Sequence, residues 1–170
     1  ALPVIAVIVL AAMWIYAERW DPNPEITVKK FYQSMSSQQY SAAAENWSVF
    51  AVAGFFPEYL ALSPAELVDK RPEIVKKIAE LLAQNPGPGN VRVAVEPAYT
   101  QVGDYGALVA YWQEQDGKSK QMMAALLIKE AGRFRILNLG PASIVEIEEF
   151  TSNEFKDYDA SLKALFEEIK

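Results

Sequence analysis

The sequence contains neither cysteine nor histidine in its 170 residues. Without cysteine there is no disulfide framework, thiolate nucleophile or lipid-bearing cysteine among the residues shown. Without histidine the chain lacks the commonest general base and the commonest metal ligand. Glycine-rich phosphate loops, GxSxG elbows and zinc-ligand spacings are also missing from the sequence. These absences predict a protein that is not an enzyme and that binds no cofactor or metal.

Positive charge is scarce as well. The chain has 16 Lys and Arg against 22 Asp and Glu, which gives a formal net charge of −6. Proteins that bind nucleic acid need cationic surface to neutralise the phosphate backbone, so nucleic acid is not an expected partner. Most of the acidic excess falls in residues 146–170, and the remainder of the chain is close to neutral.

The feature that is present in abundance is an uncharged hydrophobic stretch over residues 1–17. About 16 apolar residues span roughly 24 Å as a helix, against about 30 Å for a bilayer's hydrocarbon core. We therefore expect a membrane anchor over residues 1–20 whose span begins upstream of Ala1. A signal peptide and a buried core helix are the alternatives, but cleavage after Ala12 or Ala17 lacks a small residue at −3. The predicted anchor residues are Pro3, Val4, Ile5, Val7, Ile8, Leu10, Trp14, Tyr16 and Trp20.

The flank of this stretch predicts the orientation. Aromatic rings at Trp14, Tyr16 and Trp20 are typical of the headgroup level. Residues 18–25 hold one arginine and three acids, so the positive-inside rule favours a globular domain outside the cytoplasm. Residues 21–24, with two prolines, form a short stiff linker. The expected location is the inner (cytoplasmic) membrane of a bacterium, single-pass, with the domain in the periplasm.

The first part of the domain has helical signals. Pro24-Glu25 is typical of a helix start, and the apolar spacing that follows predicts one long helix or two with a break near Ser36-Ser37. Ser63-Pro64-Ala65-Glu66 predicts a second start by a serine cap and a glutamate at the third position. Pro72 is expected to interrupt that region, and the Pro/Gly-rich residues 85–90 end it.

From residue 91 onward the hydrophobic period changes to two, which predicts strands. Residues 91–95, 107–112, 121–129 and 133–139 read as four strands of an antiparallel meander. Asp116-Gly117 is a tight-turn signal between the second and the third. Helices first and strands later indicate an α+β fold, with helices covering one face of a curved sheet that encloses a conical hollow.

The chain resembles a known superfamily at three places: VKKFY at residues 28–32, YSAAA at residues 40–44 and IKEAGRFRI at residues 128–136. Together with the order of elements, these look like the NTF2-like (cystatin-like α+β cone) superfamily, in its small bacterial membrane-tethered or lipoprotein-like branch. The resemblance covers about residues 25–140 and implies a cone-shaped α+β domain. Its lipidated members carry a cysteine that this chain lacks, and its catalytic members use Asp, His or Tyr in the cone. Because this fold hosts many functions, the resemblance does not assign one.

An isomerase-type enzyme is the least favoured alternative. A carboxylate and tyrosines inside an apolar cone could serve as acid and base. The candidates are Tyr32, Tyr99, Tyr105, Tyr111 and Asp104. Asp104 lies between two glycine-containing dipeptides, so a solvated turn is the simpler interpretation.

Other charged groups have simple structural interpretations beside functional ones. Asp157, Asp159 and Glu154 could attract a cation but lack the spacing and glycine of a calcium loop. The pairs Lys29-Lys30 and Lys76-Lys77 are interpreted as solvated helix faces, with contact to anionic lipid as the alternative.

Two apolar segments are candidates for binding a partner. Aromatic residues crowd residues 47–56, where core packing is the default and an exposed interaction patch the alternative. Residues 152–169 predict an amphipathic helix capped by Ser152-Asn153-Glu154, whose stripe packs on its own domain or on a partner protein. The candidate partner-binding residues are Phe50, Phe55, Phe56, Phe155, Tyr158, Leu162, Leu165, Phe166 and Ile169.

The sequence thus predicts four segments: an anchor at residues 1–20, a linker at residues 21–24, an NTF2-like domain at residues 25–141 and an acidic extension at residues 142–170. The expected function is that of a non-catalytic accessory or assembly subunit of a larger respiratory, photosynthetic or secretion complex. The expected partners are an integral-membrane protein complex and membrane lipid. The alternatives are a periplasmic assembly factor like those of type IV secretion and a module that binds a small apolar ligand.

Overall fold

The computed structural model describes residues 23–169 of the chain. Within that range no helix has both the length and the apolar character needed to cross a membrane. The predicted anchor, residues 1–20 with Pro3, Trp14 and Trp20, lies outside the described residues.

The described chain consists of helices, then strands, then helices again. The α-helices are α1 (Pro24–Ser36), α2 (Tyr40–Ala44), α3 (Pro64–Asp69), α4 (Arg71–Gln84), α5 (Ile144–Glu149) and α6 (Phe155–Ile169). The strands are β1 (Val91–Val95), β2 (Gln101–Val102), β3 (Gly106–Gln115), β4 (Ser119–Glu130) and β5 (Arg133–Pro141). Short 3-10 helices span Val49–Gly54, Pro57–Tyr59 and Pro97–Tyr99, and a π-helix, Phe150–Glu154, joins α5 to α6.

The helix starts follow local capping chemistry. The Asn23 side chain accepts a hydrogen bond from the Glu25 amide at 2.9 Å, with Pro24 as the first helical residue of α1. Ser63 and Glu66 form the capping box expected from the sequence at the start of α3. The first helical region is two helices, because Gln38 takes a positive φ of 57° between α1 and α2.

The start of the C-terminal helical region differs from the prediction. Ser152-Asn153-Glu154 does not cap a helix, because these residues lie inside the π-helix that continues α5 into α6. The true start is a capping box of Ser143 and Glu146, in which each side chain satisfies the other's backbone amide.

The strands form one antiparallel sheet in the order β1-β3-β4-β5, with β2 also paired to β3. Strands β3 and β4 pair over ten positions, from Gly106 opposite Ile128 to Gln115 opposite Ser119. The turns between strands use backbone with positive φ at Asp116-Gly117 and at Ala131-Gly132. The predicted meander of four strands is confirmed as β1, β3, β4 and β5, and the two-residue β2 is an additional strand that follows the 3-10 helix at Pro97–Tyr99.

Both faces of the sheet are covered by helices, whereas the sequence predicted helices on one face. Alternate residues of β3 point to opposite sides: Val109 and Tyr111 join the core under α1, α2 and α4, while Leu108 and Ala110 join a second core under α5 and α6. Where a conical hollow was expected, α1 places Val28 and Phe31 in the first core with the fully buried Tyr111. An α+β fold with helices packed on an antiparallel sheet is confirmed.

The Asp159 carboxylate of α6 binds the turn before β3 by hydrogen bonds. Asp159 accepts hydrogen bonds from the amides of Asp104 at 3.2 Å, Tyr105 at 2.9 Å and Gly106 at 2.8 Å. A Cβ atom at Gly103 would lie only 2.3 Å from the Asp159 Oδ1, so the turn needs glycine to approach this closely. Residues 155–169 are therefore an integral part of the domain.

Candidate functional site

The candidate site is an open groove of about 460 Å³ between α1, α2 and β5, which we call the α1–β5 groove. Its α1 wall is one helical face, because the contributing residues recur at steps of three and four. That volume is within the roughly 300–1,000 Å³ typical of small-molecule sites. The lining residues are Asn23, Ile26, Thr27, Lys30, Ser34, Ala42, Glu45, Asn46, Arg133, Phe134 and Arg135.

The charge of this groove is opposite to that of the whole chain. Among the described residues, Lys30, Arg133 and Arg135 line it, and Glu45 supplies a carboxylate. The chain as a whole has a net charge of −6. A concave site lined mainly by one sign of charge concentrates the field, so this groove is suited to an anion.

The groove also has an apolar part. Ile26 is 41% exposed, which is high for a large aliphatic side chain, and it lies beside Phe134 and Ala42. The Thr27 hydroxyl donates to the Phe134 carbonyl at 2.8 Å, which holds α1 against the start of β5. An occupant that combines a negative group with an apolar part would satisfy both kinds of lining.

Beneath the groove lies a buried ion cluster centred on Glu130, which is only 3% exposed. Its carboxylate accepts hydrogen bonds from the Ser48 hydroxyl at 2.7 Å, the Val49 amide at 3.2 Å and Arg71 Nη1 at 2.8 Å. A buried carboxylate is tolerated when charge-assisted hydrogen bonds of this kind surround it. The cluster ties β4 to the start of α4 and to residues 47–49.

Arg135 connects this cluster to the groove. Its Nη1 donates to the Glu45 carbonyl and lies 3.8 Å from the Glu45 carboxylate, which also pairs with Arg71 Nη2 at 3.1 Å. Burial, and after it the neighbouring Arg71 guanidinium, lowers the pKa of Arg135 below its ordinary value. A further negative group near Arg135 would offset part of that unfavourable environment.

The residues proposed for an enzymatic site, four tyrosines and Asp104, do not lie together in the structure. The hydroxyls of Tyr32 and Tyr111 are 2.9 Å apart, and Tyr32 also donates to Gln113 at 3.2 Å. Burial raises the pKa of both tyrosines, so both hydroxyls remain protonated at neutral pH. Asp104 lies roughly 20 Å of strand away from Tyr111, in the turn held by Asp159. The two halves of the proposed acid–base set therefore do not meet.

The other sequence candidates are found in structural surroundings. Tyr99 packs in the second core, and Tyr105 stacks on Phe166 with ring centroids 6.0 Å apart. Within residues 23–169 no group of three or more Asp and Glu is arranged to hold a metal ion, and Asp159 is engaged with backbone amides.

The candidate partner-binding residues differ in accessibility. In the C-terminal helix, Phe155 and Leu162 are buried, and Tyr158 donates to the Leu127 carbonyl at 2.9 Å. Leu165, Phe166 and Ile169 are half-buried. In the aromatic segment, Phe50 and Phe56 are half-buried, while Phe55 is 45% exposed beside Trp47.

Sequence reasoning missed Glu130, Arg71, Arg133 and Arg135. Glu130, Arg133 and Arg135 lie within the IKEAGRFRI segment that carries the family resemblance. No local pattern predicts their contacts, because Glu130 meets partners 59 and 82 positions away in the chain.

Comparisons with known proteins give structural likenesses and no sequence match. Neither a protein-family model nor a curated protein matches the chain. A phospholipid-binding protein from Ralstonia solanacearum, solved with a phospholipid, is 9% identical with a TM-score of 0.45, over 85% of this chain and 93% of that one. A proposed dehydratase of the NTF2-like family from Streptomyces avermitilis is 13% identical with a TM-score of 0.35, over 71% of this chain and 99% of that one. Both TM-scores lie below 0.5, so these likenesses carry no argument about ligand or activity.

Proposed function

We propose that this protein is a non-catalytic binding module whose α1–β5 groove takes a small anionic molecule with an apolar part. The observation that carries the proposal is the reversal of charge in the groove: among residues 23–169 its lining has three cations and one carboxylate, whereas the whole chain has a net charge of −6. The exposed Ile26 beside those cations supports an amphipathic ligand rather than a bare ion.

The support for a non-catalytic role comes from how the reactive groups are engaged. The Glu130 carboxylate is held by Ser48, Val49 and Arg71, so its lone pairs are already satisfied. Tyr32 and Tyr111 hydrogen-bond to each other, and their raised pKa values keep both hydroxyls protonated, so neither can accept a proton as a base near neutral pH. A general base needs a pKa near the working pH and access to the substrate.

The proposal includes the membrane position expected from the sequence. Residues 1–20 would anchor the chain by a single span, with the domain outside the cytoplasm and in the membrane-tethered branch of the NTF2-like superfamily. The hydrophobic stretch, the aromatic residues near its end and the acidic flank of residues 18–25 support this arrangement.

The test is titration of the full chain, held in nanodiscs of neutral lipid, with hexyl phosphate and with hexanol by calorimetry. We expect hexyl phosphate to bind and hexanol not to bind. Arg133→Gln should weaken binding about tenfold, because it removes a charge-assisted contact. The matched control is Arg92→Gln, an exposed arginine on β1 at the opposite edge of the sheet. Equal affinities of the wild type and Arg133→Gln for hexyl phosphate would overturn the proposal.

A second candidate function is the accessory subunit of a membrane complex, favoured by one observation. Phe55 is 45% exposed and Leu60 is 63% exposed, each directly after one of two successive 3-10 helices, which leaves apolar surface for a protein contact. Native gels after mild-detergent extraction should show migration with a large complex that Phe55→Ser abolishes and Val102→Ser, at another exposed apolar residue, preserves. Migration as a free monomer in several detergents would exclude this function.

A further inference from the structure

The α1–β5 groove lies close in the chain to the predicted anchor. Asn23 lines the groove and is the first residue that the structure describes. Only three residues of chain lead from Trp20 to Asn23, and they reach at most about 10 Å when fully extended. The polar layer on each side of a bilayer is roughly 5–8 Å deep. If residues 1–20 span a membrane, the groove is therefore held at the level of the headgroups.

The cations of the groove suit a phosphate group. Arginine presents a planar fork of donors that matches phosphate oxygens, and lysine adds a compact charge. Arg133 is exposed at the start of β5, and Arg135 lies deeper, next to the ion cluster. Ile26, which is 41% exposed, lines the same groove and provides apolar contact for the glycerol and upper chain atoms of a lipid.

The remainder of the chain favours this face for the membrane. An anionic leaflet attracts cationic side chains and repels acids within about a Debye length. The C-terminal segment carries most of the acidic excess, and α5 and α6 cover the face of the sheet opposite to α1. The acids of the C-terminal segment therefore disfavour the α5–α6 side, which leaves the groove side of the domain to face anionic lipid.

We propose that the α1–β5 groove binds the phosphate of an anionic phospholipid of the same bilayer that holds residues 1–20. The inference rests on the proposed function, since it names the ligand class and the source of the ligand. Binding of this kind fixes the orientation of the domain on the membrane surface and does not merely tether it.

The experiment uses the full chain in nanodiscs of phosphatidylcholine that contain a minority of phosphatidylglycerol. After release from the nanodisc, native mass spectrometry measures the ratio of the two lipids that stay bound. We expect the wild type to be enriched in phosphatidylglycerol, and Arg133→Gln to lower that enrichment about five-fold. Lys30→Gln is the second groove variant, and Arg92→Gln is the matched control that keeps the wild-type ratio.

A soluble competitor separates the two sources of phosphate. Glycerol 3-phosphate added to the nanodiscs should leave the bound phosphatidylglycerol in place if the bilayer supplies the ligand. Displacement by glycerol 3-phosphate, with hexyl phosphate still binding, would overturn the lipid inference and leave the proposed function standing. Equal lipid ratios in the wild type and both groove variants would overturn the lipid inference as well. If hexyl phosphate also fails to bind, both proposals are wrong.

Discussion

Replacing the buried Glu130 by glutamine should destabilise the fold more than any other single change of charge in the ion cluster. The carboxylate lies between Arg71 on one oxygen and both Ser48 and the Val49 amide on the other. A glutamine has one oxygen and one amide group in their place. Whichever way the amide is turned, its NH₂ faces a donor, either the Arg71 guanidinium or the Val49 amide.

The magnitude follows from these contacts. Breaking a buried ion pair by removing one partner costs about 3–5 kcal/mol, and we expect the lower end because Glu45 still pairs with Arg71. For a domain of this size about 3 kcal/mol corresponds to a fall in Tm of roughly 6–12 °C. Thermal unfolding of the full chain in mild detergent, followed by near-UV circular dichroism, measures this fall.

The matched control is Glu45→Gln, because Glu45, like Glu130, pairs with Arg71 and Arg135, but its side chain is 60% exposed. An exposed pair contributes about 1 kcal/mol or less to stability, so its Tm should fall by only a few degrees. If Glu130→Gln lowers the Tm no more than Glu45→Gln does, the cluster does not stabilise the fold in the way described.

Three further predictions concern other parts of the molecule. Asp159→Ala removes the acceptor for three amides, and a loss of about 2 kcal/mol should speed hydrogen exchange of the Tyr105 amide about 30-fold. Asp157→Ala, at an exposed residue, is the control, and equal exchange rates in the two variants would contradict the expectation. Because burial raises the pKa of Tyr32 and Tyr111, the stability that they contribute should be intact below pH ~10 and fall as the pH rises beyond it. Tyr111→Phe should reduce this alkaline loss of stability in unfolding measurements. An unchanged pH dependence would show that the buried tyrosines do not cause the loss. Glu45→Gln should tighten hexyl phosphate binding to the groove several-fold in calorimetry, since the competing carboxylate beside Arg135 is gone, and weaker binding would refute this role.

Local chemistry made much of the fold predictable. The capping box at Ser63 and Glu66 and the alternation of residues 91–95 each specify one element without help from distant residues. Ser143 and Glu146 carry the same signature, yet the sequence favours a helix start at Ser152-Asn153-Glu154 because a regular apolar stripe follows it. The π-helix has no comparable local signal.

The candidate site was less accessible to sequence reasoning. The groove depends on how α1 crosses the start of β5, and no residue in VKKFY or IKEAGRFRI encodes that crossing alone. The sequence makes Lys30 a candidate contact for anionic lipid, but it places Arg133 and Arg135 only in a hairpin. Their juxtaposition with Lys30 arises from tertiary packing that brings residues about 100 positions apart to one surface, as in the 107-residue separation of Thr27 and Phe134.

The hydrogen bonds between the Asp159 carboxylate and the turn before β3 have a consequence for the evolution of this chain. The carboxylate accepts hydrogen bonds only from backbone amides, so replacing the Asp104 side chain leaves these bonds intact. Gly103 is different, because a methyl group there would collide with the acid itself. In an alignment of homologous chains, positions 103 and 159 should therefore change together: lineages that lose the acid should be the ones in which the glycine is replaced.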